Sequence, residues 1–115
     1  MNVLSAQTNN AISLLSKADS LVEEGKPVAA LNLYRSVGES TLDQCIIAQA
    51  EVGKGRIQQK AGNLERASKA WVSVENNCSM CPSEVRSELV FYTVEGWISQ
   101  GEETFAMNLL DLENT

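Results

Sequence analysis

The stretch GNLERASKAW, residues 62–71, places an alanine five positions after its glycine and a tryptophan nine positions after it. Glycine accepts the left-handed backbone conformation that commonly ends a helix, and Asn63 is a favourable N-cap for a helix that follows. Ala67 and Trp71 are four residues apart, so they lie on one face of that second helix. The stretch therefore predicts a tight turn between two packed helices.

The same spacing occurs twice more, in GKPVAALNLY at residues 25–34 and in GEETFAMNLL at residues 101–110. The first glycines of these stretches lie 37 residues before and 39 residues after Gly62. A helix–turn–helix unit that recurs at a nearly constant period is the signature of a repeat protein. The alanine lets two helices cross closely, and the large apolar residue one turn later can cover the crossing and reach the next unit.

Apolar residues at three- and four-residue steps predict six helices along the chain, and no stretch alternates as a half-buried strand does. We expect Gly38 to end the second helix and Ser40 or Thr41 to cap the third. The longest interruption is NNCSMCP, residues 76–82. The sequence predicts an all-α fold with a single domain over residues 1–115, in which three antiparallel helix pairs stack.

These spacings resemble the tetratricopeptide repeat (TPR) family. The three glycine, alanine and large apolar sets match its motif, and Gly55 matches the small residue of its first helix, whereas Glu51 stands where the family has a large apolar residue. The resemblance implies repeats at roughly 11–40, 48–80 and 87–114, stacked as a right-handed superhelical solenoid. It also implies that a partner peptide or helix binds in a concave groove lined by the first helix of each pair.

Helical register then indicates which side chains of the first helices face that groove. They form an apolar strip with acidic residues at both ends and basic residues in the middle. An alternative is that Ile12, Leu15 and Phe91 are ordinary core residues between helices. The predicted groove residues are Ile12, Leu15, Asp19, Val52, Arg56, Lys60, Phe91 and Glu95.

The chain is acidic, with 15 acidic and 9 basic residues and a net charge of −6. This charge repels phosphate backbones, so we expect no nucleic-acid partner. No run of about 18 apolar residues is present, so we expect no membrane span. The stretch MNVLSAQTNN, residues 1–10, lacks the features of a secretory signal. A signal could have been removed, so both a cytoplasmic and a secreted or periplasmic location stay open.

The chain has three cysteines and no histidine. Without histidine there is no Ser–His or Cys–His pair for nucleophilic catalysis, and the sequence has no phosphate-binding glycine loop. A structural zinc site usually needs four Cys or His ligands, so three cysteines leave it one short. We therefore expect a protein that is not an enzyme and that holds no cofactor or metal.

The cysteines flank two helices that should lie side by side. Cys45 starts the third helix, while Cys78 and Cys81 precede the fifth. In an oxidising compartment we expect a disulfide from Cys45 to Cys78 or to Cys81, and in a reducing one three thiols. Both alternatives stay open.

The sixth helix carries apolar residues on more than one face, among them Phe105, Met107 and Leu110. Only one face can pack on the fifth helix. Residues 1–10 or a bend in the last helix could cover the other. The main interpretation is a non-catalytic adaptor or scaffold that binds a protein segment. The alternative is a structural module that forms homo-oligomers through the sixth helix.

Overall fold

The structure is a computed structural model that describes residues 3–77, 79 and 81–113, with side chains described for residues 9–76, 79 and 81–111. The described residues form six helices and no strand, which confirms the predicted all-α fold. The helices are α1 (Val3–Glu23), α2 (Pro27–Ser40), α3 (Gln44–Lys60), α4 (Leu64–Asn77), α5 (Ser83–Ser99) and α6 (Glu103–Glu113).

Each of the three helix pairs closes through the same turn. The N–H of Gly62 donates to the carbonyl of Gln59 at 3.0 Å, and the N–H of Asn63 donates to the carbonyl of Gln58 at 2.8 Å. The other two turns repeat this pair of hydrogen bonds, which ends a helix when the glycine adopts a left-handed conformation. The glycines that do so have φ angles of 77°, 83° and 78° at Gly25, Gly62 and Gly101.

The boundary between α2 and α3 differs from the prediction. The α2 helix continues past Gly38 and includes Ser40. The cap of α3 is neither Ser40 nor Thr41 but Asp43, whose Oδ1 accepts hydrogen bonds from two backbone N–H groups at 2.9 and 3.2 Å. A carboxylate is favoured at this position because it also interacts with the positive end of the helix dipole.

The motif alanines lie in the interior of the protein, where a small side chain leaves room for closely packed helices. Ala30, Ala67 and Ala106 are all buried. In the second pair α3 and α4 approach closely, because a Cβ added to Gly55 of α3 would lie 2.7 Å from the Cβ of Ala70 on α4. Only a hydrogen atom fits at that point of α3.

The motif aromatics pack on the first helix of the next pair. A Cβ added to Gly53 of α3 would lie 2.3 Å from Cζ of Tyr34, and one added to Gly96 of α5 would lie 2.4 Å from Cε2 of Trp71. The Trp71 ring also approaches Gly55, where an added Cβ would lie 3.0 Å from it. Tyr34 thus joins the first pair to the second, and Trp71 joins the second to the third.

The helices form two layers. Each helix packs against the next along the chain, and α1 also contacts α3, as α3 contacts α5. The shortest dimension of the molecule is 19 Å, which is about two helix diameters. The apolar core has one cluster around Tyr34, from α1, α2 and α3, and another around Trp71, from α3 to α6. The first helices α1, α3 and α5 are therefore neighbours in one layer.

Replacing Gly96 with alanine should lower the free energy of unfolding by about 1–3 kcal/mol, because the added Cβ would overlap the Trp71 indole. Gly38→Ala is the matched control, since this glycine is also helical but an added Cβ meets nothing within 4 Å. It should raise the free energy of unfolding by about 0.5–1 kcal/mol. Urea unfolding measures both, and equal effects would contradict the contact between Trp71 and α5.

Candidate binding cleft

The helices α1, α3 and α5 border a cleft with a volume of about 420 Å³. Its apolar part comes from all three helices, with Leu15 on α1, Val52 on α3 and Leu89 on α5. Leu15 and Val52 each lie ten residues before the glycine that ends their helix, so they occupy equivalent positions in successive pairs. The volume is within the range of about 300–1,000 Å³ typical of ligand clefts.

Charged side chains surround this apolar part. Asp19 and Glu23 from α1 and Glu88 from α5 contribute three carboxylates, while Arg56 from α3 contributes one guanidinium. All four residues are exposed to solvent. The excess of negative charge in the cleft favours a ligand that carries positive charge.

Asp19 is oriented by a tyrosine that also holds two helix pairs together. The hydroxyl of Tyr34 donates a hydrogen bond to Oδ1 of Asp19 at 2.5 Å. Burial raises the pKa of Tyr34 well above its ordinary value, and the hydrogen bond to Asp19 and the charge of Asp19 raise it further, while the charge of Arg56 acts in the opposite direction. Tyr34 therefore stays protonated at neutral pH and keeps donating to Asp19.

Arg56 is oriented by an aromatic residue from the next helix pair. Its Cζ lies 4.0 Å from the centroid of the Tyr92 ring, which is a cation–π contact from α3 to α5. Such a contact contributes about 0.5–1 kcal/mol at an exposed site. The ring of Phe91 meets Tyr92 edge-on, with the centroids 5.5 Å apart. The guanidinium of Arg56 is thus held beside the cleft before any ligand arrives.

The eight predicted groove residues divide into three groups. Four of them line the cleft together, and two more line a smaller adjoining concavity of about 250 Å³ that also includes Arg56. Ile12 and Phe91 line neither, and with 50% and 61% of their surfaces exposed they are not core residues either. The cleft contains Leu15, Asp19, Val52 and Arg56, and the adjoining concavity contains Lys60 and Glu95.

Sequence reasoning missed the two tyrosines of the cleft, Tyr34 and Tyr92. Tyr34 had a purely structural role in the motif. Tyr92 lies nine residues before Gly101, just as Gly53 lies nine residues before Gly62, and both line the cleft. The equivalent residue of α1, Ser16, does not line the cleft, so this sequence position alone does not identify Tyr92.

The structure describes two of the three cysteines in the predicted disulfide, Cys45 and Cys81. Cys45 carries a free thiol, whose Sγ accepts a hydrogen bond from Nε2 of Gln49 at 3.7 Å. Cys81 is buried in the cluster around Trp71, and Cys45 packs against the same cluster. Cys78 lies outside the described residues. The starts of α3 and α5 therefore meet in one cluster, and the disulfide stays a prediction.

The three apolar residues predicted for α6 are all exposed, Phe105 by 48%, Met107 by 57% and Leu110 by 38%. The Phe105 ring packs on Trp97, with the centroids 5.0 Å apart. Met107 and Leu110 follow Gly101 by six and nine residues, as Ser68 and Trp71 follow Gly62. Ser68 and Trp71 both contact the third helix pair. We call Met107 and Leu110 the open face, because no described residue covers them as the third pair covers Trp71. Residues 1 and 2 lie outside the description.

Neither a metal-binding cluster nor a membrane-spanning helix is present among the described residues. No group of three or more His, Cys, Asp or Glu residues is arranged to hold a metal ion. None of the described helices is both long enough and apolar enough to cross a membrane. In comparisons with known proteins, no family model, curated protein or solved structure matches this chain.

Proposed function

We propose that the protein is a non-catalytic adaptor or scaffold that binds a segment of a partner protein in the cleft between α1, α3 and α5. The observation that carries this proposal is that side chains from all three first helices border one cleft of about 420 Å³. An extended or helical segment lying across the three helices would contact all of them. Such a surface is what stacked helical repeats use for binding.

The same proposal includes the TPR-like, right-handed stacking of the three pairs. Two repeated features support it. The hydrogen bonds of the glycine turn occur in all three pairs, and an aromatic residue lies against a glycine of the next pair at both junctions. The aromatic residue occupies the same motif position in both pairs, although the glycine that it contacts lies nine residues before Gly62 at one junction and five residues before Gly101 at the other. Units that each contact only their neighbours build a stack.

The charges of the cleft indicate the chemistry of the bound segment. Leu15, Val52 and Leu89 favour an apolar side chain, and the carboxylates of Asp19, Glu23 and Glu88 favour a lysine or arginine beside it. Each charge-assisted hydrogen bond formed there is worth about 1.5–3 kcal/mol. The guanidinium of Arg56, held by Tyr92, remains a donor for a backbone carbonyl of the segment.

Two charge reversals in the cleft should abolish retention of the partner in affinity capture from the source cell. Glu88→Lys places a cation where the segment is expected to carry one, and Arg56→Glu removes the donor held by Tyr92. Glu39→Lys and Lys17→Glu are the matched controls, because both residues are exposed and neither lines the cleft. Circular dichroism checks that all four variants keep their helical content.

A partner retained by the wild-type protein and by both controls, but not by the cleft variants, supports the proposal. With the bound segment synthesised and labelled, Glu88→Lys should weaken its dissociation constant about tenfold or more. A partner that both cleft variants retain at wild-type levels contradicts binding in the cleft.

A second candidate function is self-assembly through the open face of α6. Trp71, which is equivalent to Leu110, packs on Gly96 of the next first helix. On α1 of a second copy, Ser16 and Ser20 are exposed. Ser16 lies nine residues before the glycine that ends α1, as Gly53 does for α3. Ser20 lies five residues before that glycine, as Gly96 does for α5. This small-residue surface could receive Met107 and Leu110. Contact between two different surfaces would build a head-to-tail assembly rather than a closed dimer.

Solution mass tests this second candidate. If α6 binds a second copy, the mass measured by sedimentation velocity should rise with protein concentration. Leu110→Asp should return the mass to that of a monomer by placing a charge in the contact. Val72→Asp is the control, because Val72 of α4 is similarly exposed but lies outside the open face. A monomer mass that is independent of concentration rules out self-assembly through α6.

A further inference from the structure

A second concavity, with a volume of about 270 Å³, lies between α2, α3 and α4. On α3 it is bordered by Lys54, two residues from Val52 of the cleft, so the two sites lie on opposite faces of this helix. Four of the nine basic residues of the chain line it. We call it the basic concavity, and its cations are Arg35 from α2, Lys54 from α3, and Arg66 and Lys69 from α4.

Most of this positive charge has no partner. Nζ of Lys54 forms an ion pair with Oε1 of Glu51 at 2.8 Å, and Glu51 is the only acidic residue of the lining. The side chains of Arg35, Arg66 and Lys69 make no hydrogen bond or ion pair within the described part of the chain. Four cations and one carboxylate leave a local charge of +3. The like charges repel one another until an anion enters.

The uncharged part of the lining also offers hydrogen-bond donors. Gln58 is buried, and its Oε1 accepts a hydrogen bond from Nδ2 of Asn63 at 2.8 Å. This bond fixes the carboxamide so that its Nε2 donors remain for a ligand. Arg35 and Arg66 come from different helices, and each guanidinium can bind two oxygens of a tetrahedral anion. Several donors together with a charge of +3 suit a dianion with several oxygens better than a single carboxylate.

The charge of the remaining surface restricts where such an anion can come from. The chain has a net charge of −6 although the basic concavity contributes +3, so the other residues carry −9. A nucleic-acid backbone would bring many phosphates against that acidic surface and be repelled. A single phosphoryl group can enter the concavity without meeting it.

We propose that the basic concavity binds one phosphoryl group through Arg35, Arg66 and Lys69. The group is either free phosphate or the phosphate of a phosphorylated side chain of a protein, and both present the same oxygens. The site is separate from the cleft, so a protein segment and a phosphoryl group can be bound together. A phosphate-dependent contact would then add to binding in the cleft.

Inorganic phosphate is the first probe, compared with chloride at equal ionic strength. Phosphate should raise the melting temperature of the wild-type protein and should shift the amide resonances around Arg35, Lys54 and Lys69 in a saturable way. Arg66→Gln should weaken phosphate binding about tenfold or more, since it removes a charge-assisted bidentate contact. Lys17→Gln is the matched control, because Lys17 is an exposed helical cation outside the concavity and should leave phosphate binding unchanged.

The melting temperature of Arg66→Gln without phosphate distinguishes phosphate binding from a structural role of this residue. In phosphate-free buffer it should keep or raise the melting temperature, because it removes repulsion among unpaired cations. A lower melting temperature there, equal effects of phosphate and chloride on the wild-type protein, or unchanged phosphate binding by Arg66→Gln would each overturn the proposal.

Two synthetic peptides identify the source of the phosphoryl group. A phosphoserine peptide that binds at least about tenfold more tightly than free phosphate, while its unphosphorylated form does not compete, assigns a phosphorylated protein. Equal affinity for the peptide and for free phosphate assigns the free anion. Tighter binding of a single-stranded oligonucleotide than of either probe would overturn the single-phosphoryl site.

Discussion

The Trp71 indole packs between two glycines, Gly55 of α3 and Gly96 of α5, and the rest of the structure depends on this contact. An added Cβ at Gly96 would come within 2.4 Å of the ring, so no other residue type fits without a shift of the helix. Tyr34 makes the equivalent contact with Gly53 at the preceding junction. The two contacts set the spacing of α1, α3 and α5, and that spacing creates the cleft. The same tyrosine then orients Asp19, so packing and candidate site share a residue.

The sequence predicts the local part of this fold because the determinants are local. Turns at the motif glycines follow from the left-handed conformation that glycine tolerates, and Ala67 is buried as the motif requires. The cap of α3 was harder to predict, since several short polar side chains precede this helix and their competition decides it. The glycines that contact Tyr34 and Trp71 are brought to them only by the packing of different helices. No regular sequence spacing between aromatic residue and glycine indicates these contacts in advance.

The candidate site is predictable to the extent that helical phase determines it. Phase alone places Leu15 and Val52 in the cleft. Helical phase gives the wrong residue on α5. Phe91 lies ten residues before its glycine turn, as Leu15 and Val52 do, but the residue that lines the cleft is its neighbour Tyr92. The rotation of α5 about its own axis decides between these two residues. That rotation is set by the fit of Gly96 against Trp71, a contact between helix pairs that the sequence of α5 does not reveal.

Nuclear Overhauser effects between Trp71 and Gly96 test this account most directly, because the glycine hydrogen that a Cβ would replace points at the indole ring. Strong cross-peaks are expected from that Hα of Gly96 to Hζ2 and the indole Hε1 of Trp71, and from the corresponding Hα of Gly53 to the ring protons of Tyr34. Trp71 cross-peaks confined to α3 and α4, with none to α5, would contradict it and remove the basis for a cleft between the first helices.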